Sequence, residues 1–406
     1  MTAPAPAPHA GELERRYLNG TFAELCRIES PSGHERACAD RVIAELRALD
    51  VQVQEDGAGA LTGSDSGNLH ALLAAKRSSI GGAPDGGETE NGETENGRRR
   101  SVLLCAHLDT VPLQAPVEPV LVDGRWENAN AGILGADNKA AIAVMLTLAR
   151  HVHSVGSPVD LELLFTVGEE TALAGARAFD VSHLCSDFGY VFDHASPIGE
   201  VIVSSPSHFR VEVTFHGVAA HAGIRPQDGR SAILAAARAI VSMPHGRVDE
   251  ETTVNVGTIS GGSAMNVVAE LCTFVAEVRS LEDERARSVV AEVVDRVHEA
   301  ANLPECECDV DVSVERTFAG YRLAPGVPAV KVAESALRAR GYQPLRISSG
   351  GASDANALLA QGFQTVNLAN GTERNHEPGE RVTVAALEEM LEVSLALLDE
   401  AAALSR

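Results

Sequence analysis

Five short segments of the chain gather residue types that ligate cations or move protons: His107-Leu108-Asp109, Asp137, Glu169-Glu170, Asp193-His194 and His376. Imidazole nitrogen and carboxylate oxygen are zinc ligands, and two ions can share one bridging carboxylate. Carboxylates crowded into one cleft repel each other unless positive charge sits among them. His107 and Asp109 are two residues apart, so on an extended backbone both side chains point to the same face. That spacing suits a carboxylate that orients a histidine ligand. Adjacent glutamates point differently, so one of Glu169 and Glu170 can bind a metal while the other faces water as a general base. Each residue read alone is equally an ordinary loop acid, and only a common location makes a site of them.

The elements around these segments supply that location. Ser101–Ala106 reads as a buried strand, 140–152 as a helix rich in Ala, Met and Leu, and 161–167 and 190–192 as further strands. This βαβ rhythm predicts a parallel sheet. The candidate segments follow its strands, and ligands of open α/β sheets bind beyond the strands' carboxyl ends. From about Ser207 the pattern changes to period-two strands and two helices in the order β-α-β-β-α-β, the ferredoxin-like split motif. The prediction is an α/β catalytic domain with a mainly parallel central sheet, residues 1–206 and 318–406, interrupted by an inserted α+β domain at 207–317. Residues 78–100 carry the repeat Gly-Glu-Thr-Glu-Asn twice and then three arginines, and are expected to form a mobile surface loop.

Composition removes other classes. The 406 residues include 33 Lys and Arg against 57 Asp and Glu, a net charge of −24. Such a surface is ill suited to nucleic acid, whose binders need surplus Lys and Arg, or to an anionic membrane. No apolar run is long enough to span a bilayer, and the amino terminus lacks the basic and apolar regions of a secretory signal. Seven scattered cysteines, an odd number, fit a reducing cytoplasm better than a disulfide framework.

Taken together, Cys105-Ala106-His107-Leu108-Asp109-Thr110-Val111-Pro112, Leu134-Gly135-Ala136-Asp137-Asn138-Lys139 and Thr166-Val167-Gly168-Glu169-Glu170 resemble the signatures of the zinc-dependent aminoacylase/carboxypeptidase family, nearest its peptidase T-like branch. The resemblance covers nearly the whole chain. It implies His107, Asp137 and Asp193 on one Zn2+, and Asp137, Glu170 and His376 on a second, with Asp137 bridging; Mn2+ or Co2+ can occupy such donors. It also implies Asp109 as support for His107, and a metal-bridging water activated by Glu169 for attack on the amide of a short peptide. The match departs after Asp193, where His194 stands in place of a small residue.

In the inserted domain the segment around His221 resembles the family's dimerisation segment, which implies a homodimer and a role for His221 at the oxyanion. Asn266 and Arg279 resemble contacts to a substrate carboxylate, which an Arg fork can grip at both oxygens. The alternative for Arg279 is a surface ion pair with Glu282 or Asp283. Gly350, Gly351 and Ser353 resemble a substrate loop. Two rival functions keep the same residues: an aminoacylase acting on N-acyl amino acids, and a non-catalytic dimer that binds metal or peptide.

Overall fold

The computed structural model describes residues 10–75 and 99–404. Two compact units emerge. One runs through Val203 and resumes with Leu323–Ser348 and from Ser353 onward; the other is Ser204–Arg322 with Ser349–Ala352. The second unit is thus a few residues wider at each end than 207–317, and it takes in the glycine loop at 349–352. The loop expected at 78–100 falls, up to residue 98, outside the described residues.

Residues of the first unit form most of a nine-stranded mixed sheet. Its centre is parallel: Asp160–Thr166, Ser101–His107, Phe188–Phe192 and Thr365–Leu368 lie side by side in that order. Flanking strands run antiparallel, Leu69–Leu73 on one side and Glu200–Ser205 on the other. Ser101–His107 is buried along its whole length, which is why it reads as an unbroken apolar run. Helix Ala136–Ser154 is apolar nearly all round and buried over most of its length, packed against helices Glu12–Cys26 and Val384–Ala403. His107 is directly opposite Thr166 in the parallel register, so the turns that follow both strands leave at one edge. The turn after Phe192 leaves at that edge too.

A separate four-stranded antiparallel sheet orders Thr372–Glu373, Arg381–Thr383, Arg125–Asn128 and Pro119–Val122. Its strands have two to four residues and little apolar alternation, so nothing in the sequence reading anticipates it. It matters because His376 lies in the loop of the hairpin 372–383, and the strand Arg125–Asn128 leads into the loop before Asp137.

The second unit has its own core, centred on Val211, Val213, Phe215, Phe274, Val293 and Val297. Its sheet orders Gly246–Arg247, Thr252–Gly261, Leu271–Ser280, Ser207–His216 and Asp309–Phe318, with helices Ala232–Ser242 and Asp283–Ala301 packed on it. Without the short first strand this is the ferredoxin-like order. Ser207–His216 alternates buried and half-buried residues with period two. Ser231 caps the first helix, its Oγ accepting the Leu234 N–H at 3.2 Å.

Candidate active site

The segments at the sheet edge converge. His107 Nδ1–H donates to the Asp109 carbonyl at 2.9 Å and faces the Asp109 carboxylate at 3.3 Å. Its Nε2 is thereby turned to Asp137 Oδ1, 3.2 Å away, and to Asp193 Oδ1 at 3.8 Å. A ring whose far N–H is tied down in this way presents a fixed lone pair to a cation. The other Asp137 oxygen faces His376 Nε2 at 3.2 Å, and the same nitrogen is 2.8 Å from Glu170 Oε1. Asn375 donates to Asp137 Oδ2 at 2.9 Å.

Among the described residues, ligand atoms within 4.8 Å of one another form the groups His107–Asp137–Asp193, Asp137–Glu170–His376 and His107–Glu169–Glu170. Asp137 is common to the first two, as a bridging carboxylate must be. Backbone contacts set these positions. Asp109 accepts the Glu169 N–H at 3.0 Å, the Glu170 N–H at 3.1 Å and the Ser32 hydroxyl at 2.6 Å. One carboxylate therefore orients His107 and registers the Glu169-Glu170 turn. Asn367 grips Asp193 at both backbone groups, accepting its N–H at 3.0 Å and donating to its carbonyl at 2.9 Å. His194, the departure from the family pattern, turns to the Ser196 hydroxyl at 2.8 Å and belongs to none of the ligand groups.

The electrostatics call for positive charge. No Lys or Arg among the described residues pairs with Asp137, Glu169, Glu170 or Asp193. Burial, reinforced by the Asp193 charge, pushes the Glu169 carboxyl well above its ordinary range. Burial and the charge of Asp137 raise Asp193 to about 7. Burial opposes the charge on His107, yet Asp109, Asp137 and Asp193 outweigh it and lift the imidazole well above normal. Hydrogen bonds to Asp137 and Glu170 raise His376 to about 10. Protons here do what a bound cation does elsewhere, so the donor set fits divalent metal.

Two further buried carboxylates stand behind the site. Glu35, fully buried, accepts the Gly168 N–H at 3.1 Å and steadies the glutamate turn from behind. Asp354, fully buried, accepts the Thr166 hydroxyl, and burial raises its carboxyl to about 6. Glu35 stands at no strand end and in no recognisable spacing, whereas Asp354 directly follows Ser353 and closes the segment that resembles a substrate loop.

The remaining candidates behave differently. Ser353 is buried at the start of helix Asp354–Ala360. In the second unit, His221 is exposed and bridges Val267, and the Asn266 carbonyl accepts the Ala222 N–H at 2.9 Å, which brings His221 and Asn266 into one loop cluster. Arg279 pairs with Glu277 at 3.0 Å, not with Glu282 or Asp283. Residues two apart on a strand share a face, which favours that partner. Its guanidinium also donates to the Gly350 carbonyl at 3.2 Å, and the Gly351 carbonyl accepts the Ser205 hydroxyl at 2.8 Å.

The chain as a whole is similar to known proteins. The peptidase dimerisation domain matches residues 203–303, and peptidase family M28 matches 89–193, the stretch from before His107 to Asp193. The crystal structure of aminopeptidase PepT from Bacillus cereus is 33% identical, with a TM-score of 0.82 over 96% of this chain and 99% of that one. The chain belongs to the peptidase T-like branch of the M20 peptidases. This peptidase T-like chain is also similar to a tripeptidase from Staphylococcus aureus, at 30% identity and a TM-score of 0.85 over 96% and 99% of the two chains. The Bacillus subtilis protein YqjE is 33% identical over 96% of the peptidase T-like chain and 99% of its own.

Proposed function

We propose that the chain is an aminopeptidase of the tripeptidase type, holding two zinc ions and acting as a homodimer in the cytoplasm. The observation that carries this reading is the pair of three-residue ligand groups sharing Asp137. His107, Asp137 and Asp193 would hold one ion, and Asp137, Glu170 and His376 the other. Bound there, the pair supplies Lewis acidity to the peptide carbonyl and acidity to water. Glu169, half-buried at the edge of the cluster, takes the proton of the attacking water on its carboxylate and returns it to the leaving amine. Asp109 holds His107 and the glutamate turn in place throughout.

His221 serves as oxyanion donor in this reading, and Asn266, Arg279 and the 350–353 loop receive the substrate. Dimerisation has independent support in the second unit. Strand Thr252–Gly261 meets its short neighbour only at Thr253 and Val254, so among the described residues no strand pairs with its outer edge from residue 255 onward. Ile233, Leu234 and Val241 of helix Ala232–Ser242 are exposed, as is Ile259. A bare edge and an apolar helix face are features that a second copy covers. All seven cysteines are unpaired, which suits a reducing compartment, and no described helix is long and apolar enough to cross a membrane.

The zinc-loaded protein, offered di- and tripeptides beside N-acetyl amino acids with products read by mass spectrometry, should release the amino-terminal residue of tripeptides. Turnover of the N-acetyl amino acids alone would make it an aminoacylase. Full metal occupancy with no turnover of either would make it a binding dimer.

A further inference from the structure

The carboxylate of Glu380 belongs to neither ligand group, yet it is more completely engaged with the site than some of the ligands. It is 1% exposed. One oxygen accepts the N–H groups of Leu134 and Gly135, both at 2.8 Å, and the other accepts the N–H of Asp137 at 2.9 Å. Gly135 has φ +76°, a conformation other residues rarely adopt, and it bends the turn so that these N–H groups face one point. Converging backbone N–H groups of this kind form an anion-binding nest. Here the anion is a side chain from about 245 residues away along the sequence.

Glu380 also arrives on the loop that carries His376. The hairpin strands Thr372–Glu373 and Arg381–Thr383 bracket 374–380, and within that loop Arg374 and His376 both have positive φ, at 59° and 67°. Non-glycine residues hold such a conformation only where their surroundings impose it. Asp137 is therefore gripped twice by one loop: at its carboxylate by His376 and Asn375, and at its backbone by Glu380.

We infer that Glu380 is a positioning residue, whose bonds to the 134–137 turn set where the Asp137 carboxylate stands between His107 and His376. This rests on the reading of Asp137 as a bridging metal ligand. Glu380→Gln keeps the volume but turns one acceptor oxygen into an amide nitrogen that confronts backbone N–H groups.

The test titrates the metal-free full chain with zinc against a chromophoric chelator, and records thermal unfolding of the same samples. The wild type should take up two ions, and E380Q should bind at least one of them about 10- to 100-fold more weakly, as loss of a partner behind a ligand does elsewhere. kcat on a tripeptide should fall with little change in KM. A purely structural role would lower the unfolding temperature and leave zinc affinity alone. Zinc affinities of E380Q within about threefold of wild type at both sites, set against that range, would therefore overturn the inference. A wild type that takes up no zinc would overturn the metal reading and this inference with it. Should E380Q not fold, Glu380→Asp, which keeps the charge but stops one methylene short, is titrated against the same limits.

Discussion

In the first unit the residues at the centre of the candidate site are enclosed and each is held by several partners: His107 is 1% exposed, Asp109 0% and Asp137 7%, with Asp193 and Glu170 half-buried and His376 exposed at the rim. In the second unit His221 and Asn266 stand in solvent, and apolar side chains of the same unit are as open as Val241 at 84% and Met265 at 102%. On the proposed function, the difference follows from what each region binds. A metal pair tolerates little error in its ligands, so the side chains are oriented in advance by buried hydrogen bonds. Residues that meet a substrate or a second subunit complete their contacts only on association, and until then they must remain accessible.

The largest effect that would break this contrast concerns Glu169. Glu169→Ala should lower kcat on a tripeptide by about 100- to 10,000-fold while zinc content, measured by elemental analysis, stays at the wild-type level. Hydrolysis near the wild-type rate would remove Glu169 from the chemistry. Next in size is the exposed face. Val241→Glu and Ile259→Lys place charge where a second copy is expected, and dimer dissociation measured by sedimentation should strengthen about tenfold or more. Zinc uptake should be unchanged, because the ligand groups lie in the other unit. An unaltered dimer would move the interface elsewhere.

The smallest effect sharpens the comparison through pH. A hydrogen bond from His208, then Arg279, lowers the Glu277 carboxyl to about 2 against partial burial. A carboxylate whose folded pKa is depressed adds stability above its unfolded pKa, and that stability disappears as pH falls through the folded value. The difference in urea stability between wild type and Glu277→Gln should thus be present at pH 6 and decline between about 4.5 and 2. Glu277 is about one-third exposed, so the difference should stay below about 1 kcal/mol. A difference that does not change across that window would mean that its ionisation contributes nothing to the second unit.

Much of the site was legible because its residues stand where local pattern ends. His107 ends, and Glu169 and Asp193 follow, strands that announce themselves as apolar runs, and the helix after Asp137 is apolar enough to be read as buried. The second unit's strands were legible through period-two alternation, as in Ser207–His216. Glu380, Glu35 and Asn367 were not legible. Their work is to bond backbone groups of distant turns, and any backbone N–H looks the same whatever side chain it carries. The four-stranded sheet escaped for a related reason, since strands of two to four residues are too short to show a period.

Residue types and local burial pattern thus determined the kind of chemistry, the parallel centre of the sheet and the edge at which the site would form. Which oxygen of Asp137 meets which histidine, with His376 239 residues away, was decided only by tertiary structure. So was the nest that Glu380 fills. Periodicity in a sequence records which face of an element is buried, because burial acts residue by residue along that element. Convergence of loops depends on how separate elements stack, and no single stretch of chain carries that information.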